Sequence, residues 1–100
     1  MAAKDMFEKL GYEYKEYNYG KENKMSNGIQ YRKNKKMQEE IERCGIFTEK
    51  IIEFYFYHKE LELYQICYFS DGSKTECNTF ILKSDELKAI NKQVEELGWK

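Results

Sequence analysis

Residues 84–100, SDELKAINKQVEELGWK, form the segment from which the fold is predicted. Four apolar residues recur in it at steps of three, four and three, so they share one stripe of an α-helix: Leu87, Ile90, Val94 and Leu97. Ser84 stands where an N-cap is expected, and Gly98 follows the last apolar residue as a left-handed stop. Because a helix of about thirteen residues is marginal alone in water, its apolar stripe must be buried against the rest of the chain.

The segments before this helix are typical of β-strands and provide its partner. Residues 51–57, IIEFYFY, carry apolar side chains on both faces of the predicted strand, which is typical of the central strand of a sheet. Residues 20–28 are polar and predict a loop. Four further strands are predicted, with Ile29 and Tyr31 facing the core, at residues 12–19, 29–33, 61–69 and 75–82.

Two shorter segments are predicted as helices. Residues 5–10 place their apolar side chains on one side and end at Gly11. Residues 34–45 carry three apolar residues at helical spacing between Asn34 and Gly45 as caps; a solvated loop is the alternative, because this stripe is narrow. Together the elements predict one α+β domain over the whole chain: a mostly antiparallel five-stranded sheet with the C-terminal amphipathic helix packed on one face, in two layers.

Composition bounds the class of protein. An apolar share of 41% and an aromatic share of 16% favour a folded chain despite 35% charged residues. Nine Lys or Arg against five acids in residues 1–36 give +4, whereas eight against thirteen in residues 37–100 give −5. There is no apolar run of membrane-spanning length and no secretion signal at the start, so we expect a soluble cytoplasmic protein without membrane contact.

The cysteines predict free thiols. Cys44, Cys67 and Cys77 are odd in number and form no C-x-x-C pair, which argues against a disulfide framework and a zinc site. If the turn at 71–73 has three residues, Cys67 faces Cys77; if it has two, Cys67 faces Glu76.

Catalytic motifs are missing from the sequence, and no cofactor or metal is predicted. It contains no phosphate-cradling glycine loop, Ser-centred elbow or metal-binding signature. A small enzyme or ligand-sequestering protein using His58 and a Cys remains an alternative, but a Cys nucleophile needs its base within hydrogen-bond reach. A buried free cysteine is the commoner interpretation.

A run of cations and aromatics permits nucleic-acid binding as another alternative. Lysine and arginine would track phosphates while tyrosines stack on bases. Against this hypothesis, the sequence pI is about 5.9, and a solvated charged loop is the ordinary interpretation of such a run. The residues concerned are Tyr17, Tyr19, Lys21, Lys24, Tyr31, Arg32, Lys33, Lys35 and Lys36.

Tyrosine is more abundant than one two-layer core can hide. Tyr and Trp are favoured in protein interfaces, so an aromatic sheet face opposite the C-terminal helix is a candidate surface for a partner or for a homodimer. We expect Trp99 to fold back on the core. Together with the basic run, the predicted binding residues are Tyr17, Tyr19, Tyr31, Arg32, Lys33, Lys35, Lys36, Tyr55, Tyr57, Tyr64 and Tyr68.

Three segments resemble small proteins of unassigned role that are encoded by phages and prophages of low-GC Gram-positive bacteria. They are the ending at 84–99, the opening MFEKLGY at 6–12 and IQYRKN at 29–34, whereas 35–50 looks like an insertion. The resemblance implies a setting in the cytoplasm of a bacterial host, where proteins of this size often bind and block a host protein, including components of CRISPR and other defence systems. It implies no catalytic residues.

The leading hypothesis is therefore a non-catalytic phage or prophage protein that inhibits a bacterial host protein such as a defence nuclease. It would act through the aromatic sheet face or through residues 34–45.

Overall fold

The computed structural model describes residues 1–17, 28–77 and 80–99. In these ranges one antiparallel sheet has the strand order β1-β2-β3-β4-β5, and the central strand is the predicted one. The α+β prediction is confirmed. The elements are α1 (Ala3–Lys9), β1 (Glu13–Tyr17), β2 (Gly28–Lys33), α2 (Met37–Cys44), β3 (Ile46–Tyr55), β4 (Glu60–Phe69), β5 (Lys74–Cys77) and α3 (Ser84–Glu96).

The core lies between the sheet and helices α1 and α3, on what we call the helix side of the sheet. Successive strand residues point to opposite faces, so the helix side receives Ile29 and Tyr31 from β2, as predicted, and Ile52 and Phe54 from β3. The Tyr31 ring stacks on Phe7 of α1 at 3.8 Å between centroids. Trp99 packs against this cluster, which confirms that it folds back.

Helix α3 buries Ile90 and packs Val94 and Leu97 on the core, as its apolar spacing predicts, but it is rotated away from the prediction at its first turn. Leu87 is 46% exposed, whereas the polar Glu86 and Gln93 are buried. This rotation provides acceptors for two buried phenols: the Tyr12 hydroxyl donates to Glu86 Oε2, and the Tyr31 hydroxyl donates to Gln93 Oε1 at 2.5 Å. Because a buried phenol without a partner is costly, these bonds favour the observed orientation of α3.

Glu86 also organises the start of α3. Its Oε1 accepts the backbone N–H of Lys83 at 2.9 Å, and Lys50 Nζ lies 3.2 Å from both carboxylate oxygens. The predicted Ser84 cap is wrong, because Ser84 is the first helical residue and the N-cap position belongs to Lys83. Burial raises the pKa of Glu86, but hydrogen bonds from Tyr12, Lys83 and Lys50, with the charge of Lys50, outweigh burial and lower the pKa.

The end of the sheet differs from the prediction for residues 75–82. Strand β5 ends at Cys77, residues 78–79 lie outside the described ranges, and 80–83 lead into α3 without strand structure. The chain leaves the sheet edge here, and Lys50 Nζ donates to the Ile81 carbonyl at 3.0 Å. The alternation survives: Phe80 and Leu82 pack on the core, and Ile81 is 71% exposed.

Both predicted registers for the cysteines are wrong. Cys67 pairs with Thr75, and Cys77 pairs with Gln65. The turn closes earlier than expected, because the Phe69 N–H donates to the Ser73 carbonyl and the Asp71 carboxylate accepts both the N–H and hydroxyl of Ser73. All three cysteines are free thiols.

The two shorter helices form as predicted, with shifted ends. Helix α1 begins at Ala3, two residues early, and Gly11 follows with φ of 95°. Helix α2 occupies the segment for which a loop was the alternative, and Gly45 ends it with φ of 78°. Asn34 is not the cap of α2; its side chain instead donates to Glu49 on β3. The predicted loop lies outside the described residues, except that Gly28 belongs to β2.

None of the helices in the described ranges is long and apolar enough to cross a bilayer.

Candidate functional site

The sheet face opposite α1 and α3, here called the far face, carries the candidate site. Three of its tyrosines are half-buried rather than enclosed in the core cluster: Tyr55 on β3, and Tyr64 and Tyr68 on β4. The far-face positions of β3 and β4 also contribute four glutamates and no Lys or Arg: Glu49, Glu53, Glu60 and Glu62. The part of the far face formed by β3 and β4 is therefore aromatic and acidic.

Glu53 is the first of two buried carboxylates in this face and is 7% exposed. Its Oε1 accepts Gln30 Nε2 at 2.7 Å and the Tyr64 hydroxyl at 2.9 Å. None of the ion pairs found between described side chains includes Glu53. Neutral donors thus hold the Glu53 carboxylate in place, and no Lys or Arg among the described residues forms an ion pair with it.

Glu49 is the second buried carboxylate and is 1% exposed. It accepts the Tyr68 hydroxyl at 2.9 Å and Asn34 Nδ2 at 2.7 Å, and it pairs with Arg32 Nη1 at 3.2 Å. Arg32 Nε also donates to Gln30 Oε1 at 2.8 Å, which joins the Glu49 and Glu53 clusters. One hydrogen-bonded network therefore crosses β2, β3 and β4 and fixes the side chains of the far face.

The far-face tyrosines act as neutral donors. Burial, followed by the hydrogen bond to Glu62, raises the pKa of Tyr55. Burial, followed by the hydrogen bond to Glu49, raises the pKa of Tyr68. Since neither phenol ionises near neutral pH, the negative charge of this face comes from its carboxylates.

The raised pKa values of three tyrosines allow a prediction about alkaline pH. Burial is the main cause that raises the pKa of Tyr12, Tyr31 and Tyr55 above the ordinary value of 10.0. The unfolded chain releases these protons first, so stability is fully present below pH 10 and falls as pH rises above it. Absorbance at 295 nm and circular dichroism between about pH 8 and 12 should show some phenolate appearing only as the protein unfolds. Titration of every tyrosine near pH 10 with the native spectrum intact would contradict this expectation.

The structure separates the residues proposed for nucleic-acid binding. Tyr31 is fully buried in the core, so its ring cannot meet a base, and we remove it from the candidate surface. Arg32 lies on the far face beside Glu49, whereas Lys33 points to the helix side. Tyr17 is in β1, and Tyr19, Lys21 and Lys24 lie outside the described ranges. The described members therefore do not share one surface.

The structure does not bring His58 and the cysteines together. His58 is in the turn between β3 and β4, where its ring contacts Tyr57 at 4.7 Å between centroids. Cys67 is nine residues further along the chain, roughly 30 Å at strand spacing, and Cys77 pairs with Gln65, two residues before Cys67 on β4. Cys44 is on α2, next to the opposite end of β3. Across the described ranges, no group of three His, Cys, Asp or Glu could hold a metal ion.

The remaining predicted lysines line a cavity of about 400 Å³, here called the basic cavity. It lies between the end of β2, helix α2 and the start of β3. Tyr57, another of the predicted binding residues, lies away from this cavity in the β3–β4 turn and is 56% exposed. The cavity is lined by Gly11, Lys33, Lys35, Lys36, Glu40, Ile46, Phe47 and Thr48.

The sequence-based prediction missed the carboxylates of the far face. Glu49 and Glu53 are an even number of residues apart on β3, and so are Glu60 and Glu62 on the paired strand β4. The sequence therefore contained a pattern that places these carboxylates on one face. The predicted strands began at residues 51 and 61, which excluded Glu49 and Glu60, and Glu53 and Glu62 within them were not considered as a group.

Comparisons with protein-family models, with curated protein sequences and with solved structures gave no match to this chain.

Proposed function

We propose that the protein is a non-catalytic binding module whose far face docks on a basic surface of another protein. One observation carries the proposal: Tyr55, Tyr64 and Tyr68 stay accessible on a face to which strands β3 and β4 contribute four carboxylates and no cation. Tyrosines supply contact area at low entropic cost, and fixed negative charge favours a partner rich in Lys or Arg.

The order of this face favours recognition. The hydrogen bonds around Glu49 and Glu53 hold the phenols before a partner arrives, so fewer side chains lose freedom on binding. The same negative charge repels phosphates, which makes this face unsuitable for nucleic acid.

The class of partner follows from charge and from the resemblance to phage and prophage proteins. A nucleic-acid enzyme presents a basic groove, and an acidic face can occupy such a groove in place of DNA or RNA. The proposed role is therefore inhibition of a bacterial host protein of this kind, with a defence nuclease as the favoured example.

Two matched charge reversals test which surface binds. The double variant E60K/E62K changes the charge of the far face. The double variant E39K/E42K makes the same change in net charge on α2, the other surface considered from the sequence. All four substituted glutamates are exposed, so neither variant changes a core residue. Immobilised protein is used to capture partners from a Gram-positive host lysate, and affinity for the captured protein is then measured.

We expect E60K/E62K to weaken the captured complex at least about tenfold, because repulsion replaces attraction at the interface, while E39K/E42K binds as wild type. Failure to retain any protein above a blank support would overturn the proposal. Loss of binding confined to E39K/E42K would also overturn it and would assign the interface to α2.

A further inference from the structure

The basic cavity has a different chemistry from the far face. Its lysines, Lys33, Lys35 and Lys36, come from the end of β2 and the connection to α2. Glu40 is the acid in its lining, and Arg43 holds both oxygens of that carboxylate at 2.6 and 2.8 Å. The positive charge of the three lysines is therefore not cancelled within the lining.

The body of the basic cavity is apolar. Ile46 contributes to the lining and is 42% exposed, so part of its aliphatic side chain is available to cover an apolar group. Gly11 lines the other side, where its φ of 95° favours glycine, so no side chain of this residue occupies the cavity. A volume of about 400 Å³ lies within the range of small-molecule sites.

The walls are fixed rather than loose. Asn34 Nδ2 donates to Glu49 at 2.7 Å, and the Asn34 carbonyl accepts the N–H of Met37 at 3.1 Å, so the lysine-bearing connection is tied to β3 and to α2. The left-handed Gly45 then joins α2 directly to β3.

We propose that the basic cavity binds a small organic anion with an apolar body, such as an aromatic carboxylate or sulfonate. The lysines pair with the acidic group, and the Ile46 side of the cavity covers the apolar body. This site is separate from the proposed protein-binding face and does not depend on it.

Two fluorescent probes separate the contributions of charge and apolar area. One is 8-anilinonaphthalene-1-sulfonate; the other, N-phenyl-1-naphthylamine, has the same aromatic body without the sulfonate. We expect saturable one-site binding of the sulfonate, with amide shifts at residues 33–40 and 46–48 in nuclear magnetic resonance spectra. The neutral probe should bind at least about fivefold more weakly.

The double variant K35E/K36E should weaken sulfonate binding at least about fivefold and leave the neutral probe unaffected. Folding of α2 is not at risk, because acids at a helix N-terminus are favourable. The control K74E reverses an exposed lysine on β5 and should bind both probes as wild type. Sulfonate binding that is absent, unchanged in K35E/K36E, or mapped to other residues would overturn the proposal.

Discussion

Replacing Glu86 with alanine is expected to lower the free energy of unfolding by about 3 kcal/mol, because it breaks a buried ion pair and leaves several donors unpaired. Glu86 is 2% exposed and accepts from Tyr12, from the Lys83 backbone and from Lys50. The Lys50 side chain is itself only 19% exposed, so water replaces the lost acceptor poorly. Urea denaturation measures the loss.

The neighbouring D85A variant is the control. Asp85 is exposed in the same helical turn, and its loss should cost about 0.5 kcal/mol through the helix dipole alone. A loss below about 1 kcal/mol in E86A would show that α3 is oriented by apolar packing and not by this carboxylate.

Acid titration provides a second readout of the same group. The folded protein lowers the pKa of Glu86 from 4.5, so the unfolded chain binds the proton first. The stability that Glu86 contributes is therefore present above pH 4.5 and is lost as pH falls through its folded pKa. E86Q should lack this part of the acid dependence.

The second large effect is expected on the far face, where E49A should lower the free energy of unfolding by about 2–4 kcal/mol. The substitution leaves Asn34 and the Tyr68 hydroxyl without their acceptor and removes the ion pair to Arg32. The Arg32 side chain is 29% exposed, so water recovers part of the cost.

The matched variant E60A removes an exposed carboxylate from the same face and should change stability by no more than about 0.5 kcal/mol. If instead E49A were as stable as wild type or more stable, repulsion among the far-face carboxylates would outweigh their hydrogen bonds. The network could not then be what holds the tyrosines in place.

Local pattern predicted the elements but not how α3 is turned. Capping and spacing placed the helix, yet apolar spacing alone put Leu87 inside and ignored Glu86 and Gln93. Their burial depends on the hydroxyls of Tyr12 and Tyr31, which are distant in sequence and reach them only in the folded chain. A polar residue that satisfies a buried phenol cannot be recognised from periodicity.

The candidate site shows the same limit. Alternation correctly brought Tyr55, Tyr64 and Tyr68 to one face, because side-chain direction in a strand is a local property. Arg32 and Lys33 were grouped as one basic surface, although adjacent strand residues point to opposite faces. Pairing between strands, which decides that Glu49 lies beside Arg32 and Tyr68, involves partners that no local pattern specifies.

The far face is proposed to bind cationic surfaces. The most direct test of this proposal is a titration of the ¹⁵N-labelled protein with decalysine at low salt, with decaglutamate as the charge control. We expect saturable, salt-sensitive amide shifts at Glu53, Tyr55, Glu62 and Tyr64 with decalysine, and none with decaglutamate. Shifts confined to α2 or α3, or no shift at all, would contradict the proposal.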